Sequence, residues 1–211
     1  MSELSMEQIT HNYFDVLKEI GNIGAGNATT ALAQLINAKV DMKVPQVKLL
    51  QFQELTEMLG GEEAILVSIY LGVEGDIAGS MMFVLAEEAA KHLINKMMSS
   101  MMGTPLKPVE EIQFEEMECS AMREIGNIIT GAYLNALSSL TNLCIYPSPP
   151  ALGIDMAAAI LSVPAIEFGI YGDDILLIQT QFSDDIELDG YFILIPDVES
   201  YQKILTALGV M

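Results

Sequence analysis

An internal duplication constrains the fold of this chain more than any other sequence feature. When Glu19 is aligned with Glu124, an offset of 105 residues, the segment Glu-Ile-Gly-Asn-Ile begins unchanged at both positions. The same register aligns further identical residues and brings Pro45 onto Pro150. A repeat of this length predicts two similar halves that pack about an approximate two-fold axis and share one core.

Both halves show the same predicted order of elements: a long helix, a strand, a short helix, a hairpin and a closing helix. We expect one domain composed of residues 1–103 and 104–211. The predicted bounds are 7–37 and 110–142 for the long helices, 40–50 and a less clear segment near 145 for the strands, 53–59 and 155–161 for the short helices, and 86–98 and 198–208 for the closing helices.

Charge and composition exclude several classes of function. The 211 residues include nine basic and 29 acidic side chains, for a net charge of −20. Such a surface repels phosphate backbones and anionic lipids, so we expect neither nucleic-acid nor membrane binding. No apolar run approaches the roughly 18 to 20 residues that span a bilayer, and the start lacks a basic signal-peptide head. We therefore expect a cytoplasmic protein.

The cysteines and histidines do not follow a metal-site pattern. Cys119 and Cys144 lack a second cysteine at zinc-ligand spacing, and His11 and His92 have no nearby companion ligand. We expect reduced core thiols, ordinary histidines and no metal or cofactor of the chain's own.

A polar stripe on each long helix is not explained by core packing. Its members recur at steps of four, three and four, which places them on one face with neighbouring Cβ atoms about 5–6 Å apart. The members are Asp15, Glu19, Asn22 and Gly26 in the first half, and Ser120, Glu124, Asn127 and Gly131 in the second. Because a helical glycine costs about 1 kcal/mol relative to alanine, something is expected to approach this backbone closely.

Two ordinary explanations account for only part of this stripe. Helix–helix packing explains the glycines but not the joint recurrence of Glu and Asn, and a solvated acidic face does not explain why five residues recur unchanged. An Asn amide can hold a water in one orientation, and an exposed Glu can form a charge-assisted bond with a lysine of another protein. These abilities suit phosphoryl transfer, in which catalysis is mostly positioning and charge stabilisation.

The two stripes closely resemble the signature of the CheC phosphatases of bacterial chemotaxis. In both copies the pattern Asp/Ser-x-x-x-Glu-x-x-Asn is followed by a proline 23 positions after the Asn. The resemblance covers essentially the whole chain. It implies an α+β fold, internally duplicated about a pseudo-two-fold axis, with two long helices over a shared, mainly antiparallel sheet.

The resemblance also implies a reaction and a role for four residues. The chain would hydrolyse the aspartyl phosphate of the chemotaxis response regulator CheY. Glu19 and Glu124 would contact the regulator's active-site lysine, while Asn22 and Asn127 would place the attacking water. The required Mg2+ would belong to the regulator's own acidic pocket.

A second partner implied by the resemblance is the receptor deamidase CheD. We place its surface on the short helix of the second half, with Asp155 as the N-cap of that helix; an ordinary packed helix is the alternative. Asp15 and Ser120 are further candidate partner-binding residues.

A non-catalytic interaction module is the alternative function, either a flagellar switch component or a protein that sequesters CheD. Related FliM-like switch proteins generally lack the paired Glu and Asn, whereas FliY-like proteins add motor-binding segments for which 211 residues leave no room. A self-contained metal or nucleophile enzyme would need ligands or a base that the sequence does not supply.

Overall fold

The described residues form six α-helices and seven β-strands in the predicted order, except that the second half has two strands before its short helix where one was predicted. The computed structural model describes residues 6–36, 41–168, 174–183 and 187–209. The first half contains α1 (Met6–Ile36), β1 (Asp41–Gln51), α2 (Phe52–Met58), β2 (Ile65–Gly75), β3 (Gly79–Ala86) and α3 (Glu87–Met102). The second half contains a 3-10 turn (Val109–Glu111), α4 (Glu116–Thr141), β4 (Ile145–Pro147), β5 (Ala151–Met156), α5 (Ala157–Phe168), β6 (Asp174–Ser183), β7 (Glu187–Pro196) and α6 (Val198–Ala207).

The strands form a single sheet in which each half completes the other. The order is β1-β6-β7-β3-β2, with β4 and β5 both pairing with β2. The described pairings are all antiparallel, and β3 lies beside β7 at the centre. The first strand of each half therefore pairs with the hairpin of the other half, and exchanging the halves leaves the order unchanged. This arrangement confirms the predicted α+β, pseudo-two-fold fold.

Both copies of the aligned proline lie where the strand ladder is irregular. The pairing of β1 with β6 shifts by one residue between Lys43 and Gln46, around Pro45. In the second half, Pro150 lies in the short gap between β4 and β5, which pair with consecutive parts of β2. Proline has no backbone N–H to donate, so it is accommodated at such irregularities more easily than within a regular ladder.

Helices cover both faces of the sheet. The larger apolar cluster joins α1, α3, α4 and α6 to one face, and a smaller cluster joins α2 and α5 to the other. Phe83 and Phe192 face each other across the central strands, with ring centroids 4.7 Å apart. The two long helices thus rest on the sheet side by side, with their opposite surfaces in solvent. Among the described residues, no helix is long and apolar enough to cross a membrane.

Three local predictions were wrong. The second long helix begins at Glu116 and not near residue 110, because a 3-10 turn and an extended segment come first. Asp155 is not a helix cap: it lies in β5 opposite Leu66, and its carboxylate accepts from the Met156 N–H at 2.7 Å. The first N–H groups of α5 instead donate to the Glu62 and Ala64 carbonyls. Cys144 is exposed rather than in the core.

Candidate active site

The polar stripe of α1 lies on its solvent side. Ile20, Ala25 and Ala28 are buried in the core shared with the sheet. Glu19 and Asn22 lie on a different face of the same helix and are exposed. Helical periodicity explains this alternation, since residues that anchor one face leave the opposite face in water. The buried residues therefore hold the Glu–Asn pair on the outer surface.

The stripe of α4 is built in the same way. Ile125 and Ile129 are buried against the sheet, while Glu124 and Asn127 are exposed. The prediction that both Glu–Asn pairs are at least partly solvent-accessible is confirmed. Their catalytic roles stay a prediction.

The four side chains have no internal partner among the described residues. Within the part of the chain that the structure describes, no hydrogen bond or ion pair engages the side chains of Glu19, Asn22, Glu124 or Asn127. An exposed carboxylate and amide without internal bonds lose no protein contact when they turn to an incoming surface.

The glycines of the stripe region fall into two groups. An added Cβ on Gly24 would lie 2.8 Å from Cγ of Tyr133, and one on Gly126 would collide with Ile69 of β2. Gly24 thus allows the two long helices to touch, as the helix-packing explanation expected, whereas Gly126 allows α4 to lie close to the sheet. By contrast, an added Cβ on Gly26 or Gly131 would have no neighbour within 4 Å. Packing among the described residues therefore does not account for the glycines of the stripe.

The predicted partner-binding residues have different surroundings. Ser120 is exposed, but its hydroxyl donates to the Glu116 carbonyl one turn earlier at 2.8 Å, which is ordinary helix back-bonding. Asp155 is exposed and lies on β5, next to α5 on the far face of the sheet, so it is separate from the stripes. The Asp15 side chain, like that of His11, lies outside the described residues.

The two sites differ beneath the helix surface. In α4, the buried Thr130 hydroxyl donates to the Gly126 carbonyl at 2.7 Å, and Tyr133 is buried one turn further on. The aligned residues of α1 are the smaller Ala25 and Ala28. The bulky residues of the second copy are therefore buried beneath the helix, while Asn127 itself is exposed.

Each site also contains a cation that the sequence prediction overlooked. Lys18 and Arg123 directly precede the two Glu residues, occupy aligned positions in the 105-residue register, and are exposed. The 105-residue alignment of the two halves places one basic residue on the other, and this signal could have identified them.

The chemistry of the site is limited to what Glu, Asn and these cations can do. Among the described residues, no group of three or more His, Cys, Asp or Glu side chains could hold a metal ion. An Asn without an adjacent base can orient a water, and a free carboxylate can bind a cation on another molecule. Neither ability supplies a reacting group, which would have to come from a bound molecule.

The family profile and the similar proteins found by comparison are CheC-like or related phosphatases. The CheC-like family profile matches residues 15–49 and 117–154, which include both stripes. The chain is 39% identical to the CheY-P phosphatase CheC of Bacillus subtilis over 95% of this chain and 96% of that protein. It is also 28% identical to the flagellar motor switch phosphatase FliY of the same species, over 64% of this chain and 34% of that one.

The fold has a known structural counterpart. The crystal structure of Thermotoga maritima FliY superposes with a TM-score of 0.73 at 20% identity, covering 99% of this chain and 98% of that one. At this identity the likeness shows a common fold.

Proposed function

The chain belongs to the CheC-like family, and we propose that it hydrolyses the aspartyl phosphate of a CheY-type response regulator. The observation that carries this proposal is the pair of exposed Glu–Asn sites at aligned positions of α1 and α4, whose side chains form no bond with the other described residues. The name of the Bacillus subtilis relative, a CheY-P phosphatase, supports the same reaction.

In the proposed reaction, Asn22 or Asn127 orients a water in line with the acyl phosphate. The water oxygen forms a bond to phosphorus while the bond from phosphorus to the aspartyl oxygen breaks. The aspartate leaves as a carboxylate, and both water protons stay with the released phosphate. Asn needs to take no proton, which fits a neutral amide.

Glu19 and Glu124 have a separate task, which is to anchor the regulator. Each carboxylate would accept a charge-assisted bond from a lysine near the phosphorylated aspartate, and so hold the Asn one turn away at the right position. As the family resemblance implies, the Mg2+ of the reaction would be bound by the regulator's own acidic pocket.

The decisive experiment measures phosphate release from the phosphorylated regulator with four proteins: the parent chain, Asn22→Ala, Asn127→Ala and the double variant. We expect each single variant to retain activity and the double variant to fall to the regulator's spontaneous rate. Asn135→Ala is a matched control, because Asn135 is an exposed amide further along α4. Its activity should equal that of the parent chain.

A non-catalytic role as a switch component or CheD-sequestering protein makes the opposite prediction. The parent chain would then bind the phosphorylated regulator or CheD without increasing phosphate release. A folded double variant with full activity would also refute the mechanism, because hydrolysis would then not depend on either Asn.

We infer a separate surface for CheD on α5. This helix leaves Val163 and Ile166 exposed by 40% and 70%, and Met156 at the end of β5 is also exposed. Clustered exposed apolar side chains mark protein contact sites more often than isolated ones do. Asp155 lies at the edge of this surface.

Two substitutions that change the charge of this surface test the placement of CheD. Asp155→Lys and Ile166→Asp should each weaken CheD binding by about tenfold, which corresponds to about 1.4 kcal/mol. Glu57→Lys on the related helix α2 is the control and should bind normally. Unchanged affinity in both α5 variants would place CheD elsewhere.

A further inference from the structure

The aligned cations Lys18 and Arg123 have no assigned task in the proposed reaction. We propose that they are the phosphoryl-recognition residues of the two sites: each binds a non-bridging oxygen of the partner's acyl phosphate while the adjacent Asn places the water. This inference rests on the proposed phosphatase activity and adds a specificity determinant to it.

Helix geometry places each cation beside the Asn rather than beside the Glu. Lys18 precedes Asn22 by four residues, and Arg123 precedes Asn127 by four. Residues four apart lie on the same helix face, whereas adjacent residues point in different directions. Helical side chains also lean towards the N-terminus, so each Asn leans over the turn that carries the cation. A group bound by the Asn therefore lies within reach of the cation.

The position of these cations is not explained by the general distribution of basic residues. Of the nine basic residues, Lys39, Lys43 and Lys48 align in the same register with Cys144, Ser148 and Gly153. The two long helices thus retain a cation at one aligned position, next to Asn, while the basic residues of the following segment have no basic counterpart. Because the chain has a net charge of −20 and few basic residues, a cation at the same position of both long helices favours a local function for it.

An internal structural role is the plain alternative, and the contacts do not support it. Lys91 and Lys203 form ion pairs of 2.8 and 2.9 Å with glutamates one turn away. Among the described side chains, Lys18 and Arg123 form no ion pair or hydrogen bond. Both are exposed, so neither fills space in the core. Both side chains are therefore exposed to a docked molecule.

The reaction supplies a charge that needs such a partner. A phosphoryl group carries about −1.5 to −2 charge near neutral pH, and it approaches a protein that is itself strongly acidic. A cation at the site offsets this repulsion and favours the phosphorylated form of the regulator over the unphosphorylated one. Arginine can bind two oxygens with its planar fork, while lysine offers a point charge.

The test isolates each site by disabling the other. In the Asn22→Ala background, Arg123→Gln should lower kcat/KM by about three- to tenfold at low salt, and Arg123→Lys should restore part of the loss. In the Asn127→Ala background, Lys18→Gln should do the same. Lys107→Gln removes the same charge from an exposed residue in the segment between the halves and should have no effect.

A binding measurement separates phosphoryl recognition from general attraction. With the regulator carrying beryllofluoride, a phosphoryl mimic, Arg123→Gln should bind several-fold more weakly than its background protein. Binding of the unmodified regulator should not change. Circular dichroism should show an unchanged fold, since both cations are exposed.

Three results would overturn the inference. The first is that Arg123→Gln and Lys18→Gln have the same kcat/KM as Lys107→Gln in the same background. Another is an equal loss of affinity for both forms of the regulator, and the third is an Arg123→Lys variant as weak as Arg123→Gln. If the parent chain releases no phosphate at all, the proposed function fails as well, and that outcome is distinct from these three.

Discussion

Replacing Gly24 with alanine tests how closely the two long helices pack. An added Cβ would lie 2.8 Å from Cγ, 2.9 Å from Cδ1 and 3.0 Å from Cα of Tyr133. Tyr133 cannot easily yield, because its ring lies on Phe192 with centroids 3.8 Å apart and its Cα belongs to α4. The methyl group must therefore push the helices apart or displace a buried ring.

The expected magnitude follows from two opposing effects. Overpacking of a well-packed core costs about 1–3 kcal/mol, whereas alanine gains up to about 1 kcal/mol over glycine within a helix. Gly24→Ala should therefore destabilise the protein by up to about 2 kcal/mol and lower Tm by up to about 8 °C. Gly26→Ala is the matched control on the same helix, because its Cβ meets nothing within 4 Å. That variant should be more stable by about 0.5–1 kcal/mol.

Urea unfolding followed by far-UV circular dichroism measures both changes. The two variants should shift the midpoint in opposite directions with a common m-value, which indicates that only stability has changed. If Gly24→Ala were as stable as Gly26→Ala, the close contact between Gly24 and Tyr133 would not exist in solution, and the packing argument would be refuted.

Two further predictions concern the relative activity of the sites and the cap of the last helix. Asn127→Ala should lose more phosphate-releasing activity than Asn22→Ala, because α4 is better supported from below and small displacements of a reacting group are costly; the opposite ranking would refute this argument. Hydrogen bonds from the hydroxyl and backbone N–H of Ser200 hold the pKa of Asp197 below its usual value. A carboxyl group whose pKa is lowered in the folded state stabilises the protein at pH values above its unfolded pKa. This stabilisation is lost as the pH falls through the folded-state pKa. Asp197→Ala should therefore cost about 1 kcal/mol at neutral pH and progressively less below about pH 4, as measured by urea unfolding across this range; a constant difference would contradict the cap.

Local periodicity and the duplication were enough to predict most of the elements. The apolar repeat of α1 predicts both its buried face and its exposed stripe, because a helix turns by a constant angle per residue. Repetition of Glu19 and Asn22 at Glu124 and Asn127 indicated the candidate site for the same reason. Element ends were less predictable: α4 starts at Glu116, after a 3-10 turn that the apolar pattern does not distinguish from a helix.

Contacts between distant segments were decided only by the tertiary structure. The sequence shows two halves, but the sheet reveals that β1 pairs with β6 and β5 with β2, so that each half completes the other. Helical spacing placed Gly26 on the polar stripe, but it could not show that Gly24 receives Tyr133 of the other long helix. Asp155 resembled a helix cap because capping preferences are local, yet the Glu62 and Ala64 carbonyls of a separate loop bind the first N–H groups of α5. Spacing along the chain determines which residues share a face, whereas only packing determines what that face meets.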